Sequence, residues 1–333
     1  MKEFDRTRIK ILPLSQRENK IRLDVMIPVD LLPEKINVPN LYFLAKDIIK
    51  ARKEGREVVW MMGAHPIRRG NSLIIIDLMK RGIITHLATG GAGAIHDFEF
   101  AYQGATCEDV ERYIKDGRFG NWDATGYWIN YAAKKASEND KGFGETLGEI
   151  IKEKFNFAGK VSIFSAACEL NIPITIHKGI GFDITDQSNF ADFGSLGKAS
   201  GKDFLIFSAS IERMVERGGV FLNVGSAVMG PEVFLKSLSM ARNALINEGK
   251  KICSFVTANF DLIDSDLICE GKPDEASYYY RPKKTVLFRS VKDGGKSYSI
   301  VGDFRKTIPN LYQLLKTEVG SEGYENCKKE SDG

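Results

Sequence analysis

The chain has few prolines, scattered cysteines, no long hydrophobic run and no strong excess of either charge. Ten prolines and 43% hydrophobic residues among 333 exclude a mainly disordered chain, because this much apolar surface can offset the entropy cost of ordering it. Lys and Arg number 47 against 44 Asp and Glu, a net charge of +3. That balance excludes a strongly basic protein of the kind that binds nucleic acid or membrane surfaces.

The cysteine pattern and the short hydrophobic runs are typical of a cytoplasmic protein. Five cysteines occur without a CxxC pair or a zinc-type spacing, a usage typical of reduced thiols. The first residues contain no apolar leader, and stretches such as 72–79 are far shorter than the roughly 20 residues needed to cross a bilayer. We therefore expect a cytoplasmic protein with no membrane partner.

A repeating unit organises the chain: a short apolar run, a glycine-containing turn and an amphipathic segment. The runs predict strands at 58–62, 83–88, 173–177, 219–224 and 251–259, and the segments predict helices at 71–81, 95–103, 158–170, 203–217 and from residue 231. Alternating strands and helices, with strands that are continuously apolar, are typical of a parallel sheet covered on both faces. We predict an α/β fold with a doubly wound, mostly parallel sheet. A single large Rossmann-like domain (41–317) lies between an N-terminal arm (1–40) and a polar C-terminal tail (318–333).

Three glycine-rich turns follow predicted strands, at 90–93, 179–181 and 225–230. Ligands of open parallel sheets bind beyond the carboxyl ends of the strands. Glycine lets a backbone approach a phosphate closely, and a helix N-terminus offers free N–H groups. None of the turns is a complete GxGxxG, since His96 stands where the third glycine of one of them would be. A dinucleotide site and ordinary tight turns both remain open.

His96 and Asp97 stand at the start of a predicted helix. A helix N-terminus favours a carboxylate and disfavours an imidazolium, so we expect an ionised Asp97 beside a neutral His96 that acts as a base. The alternative is that Asp97 caps a helix and His96 packs in the core. A metal site at these residues has no HExxH-type spacing in its favour.

Acidic residues and tyrosines follow the strand predicted at 251–259. Asp264, Asp266 and Glu275 lie there together with Tyr279. Carboxylates beside aromatic faces suit an alkylammonium ligand, whereas a solvated acidic loop is the alternative. We expect a pocket for a small amine or amino acid.

Motifs spread over residues 58–290 resemble the deoxyhypusine synthase family. The most specific are 264–266 (DSD) and 272–276 (KPDEA), which resemble the DGSDSG and RPDEA signatures of the family. The stretch 217–243 is similar to its GGGV strand and the helix that follows, and 92–97 to its AGG..ED loop. The run 91–99 (GAGAIHDFE) also resembles the NAD-dependent ornithine-cyclodeaminase domain that shares this fold.

The resemblance implies a homotetramer that binds NAD between subunits and oxidises a C–N bond of a small amine. With the glycine turns, it leads us to predict NAD-binding, substrate-binding and acid–base residues. The NAD-binding residues are Thr89, Gly90, Gly91, Gly93, Asp97, Gly225, Ser226 and Asp266; Asp264, Glu275 and Tyr279 bind the substrate, and His96 is the general acid or base.

The chain departs from the family pattern at the lysine that takes the aminobutyl group as an imine. Arg281 occupies the matching position, and arginine stays protonated and cannot form a Schiff base. Lys283 and Lys284 follow closely and are our candidates for the catalytic lysine. Three hypotheses remain: an NAD-dependent enzyme that transfers or cyclises the imine of an amine or amino acid, a catalytically inert nucleotide-binding protein, and a deoxyhypusine synthase with a shifted lysine.

Overall fold

The computed structural model describes residues 1–155, 160–264, 272 and 274–318. Asp266 and the tail from residue 319 lie outside the described residues. The helices are α1 (Pro39–Lys53), α2 (His65–Arg68), α3 (Ser72–Lys80), α4 (Gly91–Gln103), α5 (Val110–Ile114), α6 (Asp123–Asn139), α7 (Phe143–Lys154), α8 (Ile163–Glu169), α9 (Phe193–Arg217), α10 (Met229–Asn247) and α11 (Phe304–Glu318). The strands are β1 (Asn19–Arg22), β2 (Val58–Met62), β3 (His86–Gly90), β4 (Ala105–Glu108), β5 (Ile174–His177), β6 (Val220–Val224), β7 (Val256–Asp261) and β8 (Lys296–Val301).

A six-stranded parallel sheet forms the centre of the molecule, in the order β5-β3-β2-β6-β7-β8. Within this sheet the chain passes first through β2, then outward through β3 and β5, and returns to the other side of β2 at β6. The strand order therefore reverses between β2 and β6. This is the strand order of doubly wound dinucleotide-binding folds, and the predicted α/β fold class is confirmed.

Helices cover both faces of the sheet, because successive side chains of a strand point to opposite faces. Trp60 and Met62 pack into the larger core cluster with residues of α1, α3, α8 and α11. Val59 and Met61 pack on the other face with α10, the C-terminal half of α9 and a π-helix (Pro282–Phe288). Across the described ranges, no helix has the length and apolar character that a membrane span requires.

The N-terminal arm is fastened to the main body by a strand pair and a buried ion pair. Strand β1 pairs with β4 in an antiparallel two-stranded sheet. Close to it, the Arg17 guanidinium donates to both oxygens of Glu99, at 2.8 and 2.6 Å, with both side chains 1% exposed. Glu99 lies on α4, so the arm is held against the helix that carries His96.

Strand β5 forms one edge of the sheet, and side chains of α9 occupy backbone donors along it. Asp203 accepts the N–H of Ile176 at 2.6 Å, and Ser200 Oγ accepts the N–H of Lys178 at 2.9 Å. Asp203 also accepts two N–H groups at the start of α7. Burial outweighs these bonds and raises the pKa of Asp203 to about 7.

Several predicted boundaries are wrong by a few residues. The strand predicted at 83–88 begins at His86, because the N–H groups of Ile83 and Ile84 turn back to Leu78 O and close α3. The helix predicted at 158–170 begins at residue 163, after the Ser162 side chain has capped it. The strand predicted at 251–259 is Val256–Asp261, α4 begins at Gly91, and α9 begins ten residues before the predicted start.

Candidate functional site

The turns after β2 and β6 contact each other backbone to backbone where the strand order reverses. The N–H of Gly63 donates to Val224 O at 3.0 Å, and the N–H of Gly225 donates to Phe260 O at 2.9 Å. A Cβ on Gly63 would overlap Gly225 O, and Gly225 has a φ of +65°. Both positions therefore require glycine, and the rim of the sheet has no side chains at these two points.

Gly90, at the end of β3, lies on the same rim. A Cβ built on it would meet the Met229 methyl group at 2.9 Å and His177 O at 3.6 Å. These neighbours come from the start of α10 and the end of β5. The structure thus brings together the predicted 90–93 and 225–230 turns at the carboxyl ends of the strands.

The remaining glycines of the 90–93 turn are packed against the protein's own side chains. A Cβ on Gly91 would overlap the Asp183 carboxylate, and one on Gly93 would overlap the Thr89 hydroxyl. Asp183 pairs with the buried Lys178 ammonium at 2.9 Å. Its carboxylate lies near the first turn of α4, where the helix dipole favours a negative charge. Of these predicted NAD-binding residues, Gly90 is the one that is not buried inside the fold.

The Ser226 side chain caps the N-terminus of α10, whereas we expected it to help bind a phosphate. Its Oγ accepts the N–H of Gly230 at 2.8 Å, and Pro231 has no N–H to offer. Its backbone oxygen accepts a hydrogen bond from Asn223 at 2.9 Å. Few free donors are therefore left at this helix end.

Asp97 is buried and His96 is half-buried, and their surroundings correct part of the expectation. Asp97 accepts hydrogen bonds from Ser162 Oγ at 2.5 Å and Ile163 N at 2.9 Å, so it caps α8 instead of facing the rim. Burial raises its pKa to about 7, the opposite of the expected direction. Burial also lowers the pKa of His96 to about 4, so the imidazole is neutral, and its Nδ1 lies 2.7 Å from Thr106 Oγ1.

The described members of the predicted acidic pocket lie at the surface. Asp264 and Glu275 are exposed, and Glu275 accepts the backbone N–H of Lys272 at 3.0 Å. Tyr279 is 65% exposed. These three side chains follow the carboxyl end of β7, but they form no enclosed site. Asp266 lies outside the described residues.

Lys283 and Lys284 are buried, at 4% and 6% exposure, in the π-helix. Turns of π-helix are rare and are frequent at functional sites. The Lys284 ammonium lies 3.4 Å from the centre of the Tyr278 ring. A hydrogen bond from Lys284 lowers the pKa of Tyr278.

A polar chain that the sequence analysis missed joins the ends of β6 and β7. Asn223 Nδ2 lies 2.7 Å from Asn259 Oδ1, and the Tyr280 hydroxyl donates to Asp261 at 2.5 Å. Burial and the neighbouring Asp261 raise the pKa of Tyr280. The sequence signal for this polar chain was an asparagine near the end of each of two otherwise apolar strands.

A second missed group lies under α9. His177 Nε2 lies 3.1 Å from Thr175 Oγ1, which is 3.0 Å from His86 Nε2, and His86 Nδ1 is 2.8 Å from Ser210 Oγ. Burial lowers the pKa of both histidines to about 3, so both are neutral. His177 borders a cleft of about 450 Å³ between α9 and α10, beside Gly90. The side chains that line this cleft include Phe182, Phe204, Met229 and Glu232.

Comparison with known proteins finds solved structures with a similar fold but low sequence identity. No family model and no curated protein matches the chain. Its fold is similar to an arginine dihydrolase of the cyanobacterial ornithine-ammonia cycle (14% identity, 85% of this chain, 34% of that chain, TM-score 0.47). It is also similar to a LOR/SDH protein from Methanococcus maripaludis S2 (14%, 88%, 74%, 0.47) and a protein described as a deoxyhypusine synthase from Entamoeba histolytica (9%, 83%, 87%, 0.44).

The chain spans about a third of the length of the arginine dihydrolase. Identities of 14% or less and TM-scores below 0.5 do not assign an activity.

Proposed function

We propose that this protein is an NAD-dependent enzyme that oxidises a C–N bond of a small amine or amino acid and then transfers or cyclises the imine. The observation that carries the proposal is the reversal of strand order between β2 and β6. The turns at Gly63 and Gly225 contact each other there, and Gly90 lies on the same rim. In doubly wound sheets, dinucleotides bind in the crevice at this point. The motif at 91–99, which resembles NAD-dependent cyclodeaminases, supports the same cofactor.

The residues at the rim fit NAD in two respects. A Cβ at Gly90 would meet the end of the flexible Met229 side chain at 2.9 Å and His177 O at 3.6 Å, so movement of the methionine lets a ligand approach this backbone closely. Asn223 Oδ1 is buried and has no hydrogen-bond partner among the described residues. We assign NAD to the turns at 63–65, 90 and 225, where it supplies the acceptor for the hydride of the substrate.

The substrate fits the cleft between α9 and α10 better than the exposed acidic segment. Phe182, Phe204 and Met229 offer an apolar wall for an alkyl chain. The Glu232 carboxylate pairs with Lys236 and, at 3.3 Å, with Arg281, and we propose that an ammonium group of the substrate competes for it. The pKa of Glu232 is lowered first by Lys236 and then by the charges of Arg281 and Lys284.

We assign acid–base chemistry and imine formation to residues near this cleft. His177 borders it as a neutral imidazole held by Thr175, whereas His96 is bonded to Thr106 in a separate buried group. The charge of Lys284 acts on Glu232 of the cleft. We assign to the Lys284 amine, once deprotonated, the attack on the imine carbon, with release of the original substrate nitrogen.

Calorimetry with NAD and a pair of glycine variants tests the cofactor. Gly90→Ala places a methyl group at the rim and is expected to weaken NAD binding at least tenfold (about 1.4 kcal/mol). Gly194→Ala, which adds a methyl group at an exposed turn of α9, is expected to leave it unchanged. If the unmodified protein bound no NAD and retained none through purification, we would abandon the proposal.

Borohydride trapping tests the enzyme against the inert nucleotide-binding alternative, which Arg281 at the family lysine position favours. The protein is incubated with NAD and ornithine or spermidine, reduced, and mapped by mass spectrometry. A reduced adduct on Lys284 that Lys284→Arg abolishes and Lys283→Arg retains supports the proposed enzyme. NAD binding without an adduct favours the inert protein. Modification of a translation-factor lysine would indicate a deoxyhypusine synthase.

A further inference from the structure

A basic cleft of about 460 Å³ lies beside the end of β2, between the N-terminal arm and the starts of α2 and α11. Its volume is in the range of small-molecule sites. The residues that line it are Lys20, Ile21, Arg22, Asp24, Val25, His65, Arg68, Arg69 and Arg305. We call it the basic cleft.

The basic cleft has an excess of positive charge. Five of its described lining residues are lysine or arginine and one, Asp24, is acidic. Two carboxylates outside the lining neutralise part of the charge: Asp303 pairs with Arg69, and Asp109 with Lys20 at 3.0 Å. Even with both counted, the cations outnumber the acids by two.

The arginines that have no carboxylate partner within hydrogen-bond distance are held in place by weaker or neutral acceptors. Arg305 donates to the backbone oxygens of Val25 at 2.8 Å and Arg69 at 3.2 Å. One terminal nitrogen of Arg68 lies 3.2 Å from Cys107 Sγ, and sulfur is a weak acceptor. Arg68 Nε is buried and has no hydrogen-bond partner among the described residues. A buried guanidinium nitrogen without an acceptor is costly, and an anion would satisfy it.

His65 stands at the mouth of the cleft. Burial and the charges of Arg68 and Arg69 lower its pKa, against the smaller opposing effects of Asp303 and Asp261. The imidazole is therefore neutral at neutral pH. An anion bound beside it would favour the protonated form and raise this pKa.

We propose that the basic cleft binds a small phosphorylated molecule through its phosphoryl group. A phosphoryl group matches the donor fork of arginine and carries the two negative charges that the cleft lacks. His65, which lines the cleft, is two residues after Gly63, so the phosphoryl group belongs either to a cofactor at the rim or to a separate phosphorylated metabolite. The inference stands on the cleft alone and does not need the proposed oxidation reaction.

Calorimetry on the full chain with inorganic pyrophosphate tests the proposal. Arg68→Gln and Arg22→Gln are each expected to weaken binding at least tenfold. Arg22 is exposed, so its substitution is expected to leave the fold undisturbed. Arg217→Gln, at the end of α9 and exposed, is the matched control and is expected to bind as the unmodified protein does. In parallel, NMR titration is expected to show the His65 pKa rising when pyrophosphate is present.

Competition identifies the source of the phosphoryl group. Displacement of pyrophosphate by NADP and not by NAD supports a cofactor 2′-phosphate in the cleft, whereas displacement by neither supports a separate metabolite. Absence of pyrophosphate binding, or equal binding by Arg22→Gln and Arg217→Gln, would overturn the proposal. NAD binding measured on the same samples keeps a failure of the proposed function distinguishable from a failure here.

Discussion

The ion pair between Arg17 and Glu99 allows a sharp test of how the N-terminal arm is held. In the variant Arg17→Met, the hydrocarbon stem is largely kept and the charge is removed. Glu99 still accepts hydrogen bonds from Thr106 at 2.5 Å and Thr125 at 2.7 Å, but its charge is no longer balanced. Because both side chains of the pair are 1% exposed, we expect the free energy of unfolding to fall by about 3–5 kcal/mol.

The pH dependence of this loss follows from the pKa of Glu99. Burial opposes ionisation, but the hydrogen bonds and charge of Arg17 outweigh it and lower the pKa below 4.5. The pair therefore stabilises the fold above the unfolded pKa, and this stability is lost as the pH falls through the folded pKa. In Arg17→Met, burial acts with no cation beside it and raises the pKa of Glu99. We expect the variant to be relatively less destabilised at acid pH than at neutral pH.

Urea unfolding at about pH 5 and about pH 8 measures both effects. The matched control is Arg112→Met, which breaks the exposed pair with Glu18 (50% and 72% exposed) and should cost no more than about 1 kcal/mol. The double variant Arg17→Met with Glu99→Gln is expected to recover part of the stability. Equal losses in Arg17→Met and Arg112→Met, or a loss that does not change with pH, would refute the reasoning.

Three further predictions concern stability. The pKa of Asp97 is raised to about 7, so this group stabilises the fold below its unfolded pKa and the stability is lost as the pH rises to neutrality. We expect Asp97→Asn, which still bonds Ser162, to flatten this decline of the unfolding free energy between acid and neutral pH. Gly201→Ala, in open space within α9, should raise the unfolding free energy by about 0.5–1 kcal/mol in urea titrations. Gly144→Ala, whose Cβ would overlap Ile174 O, should lower the melting temperature markedly, and a melting temperature as high as that of Gly201→Ala would contradict the packing.

The sequence predicts the fold class well because its signals are local and repeated. Apolar runs such as 58–62 followed by glycine turns indicate buried parallel strands, and the structure has them in that arrangement. Segment ends were less predictable, since they depend on contacts far along the chain. The capping of α8 by Asp97 from α4, 66 residues away, is an example. The homotetramer, the cytoplasmic location and the domain boundaries stay predictions.

The candidate site was only partly predictable, because side chains distant in sequence share it. Glycine patterns located the rim, but nothing local in 90–93 indicates that Asp183 fills the space over Gly91. The acidic segment looked like a pocket from composition, yet Glu275 is exposed. The cationic residues of the basic cleft are spread from residue 20 to residue 305, and no window of the sequence shows them as one group.

The β5 edge of the sheet has a consequence for association between molecules. An open edge strand normally offers a template on which another chain can add a strand, which leads to aggregation or swapped dimers. Here Asp203 and Ser200 already take the N–H groups of Ile176 and Lys178. An incoming strand would have to displace a buried carboxylate before it could bond, so self-association on this side should proceed through helix surfaces.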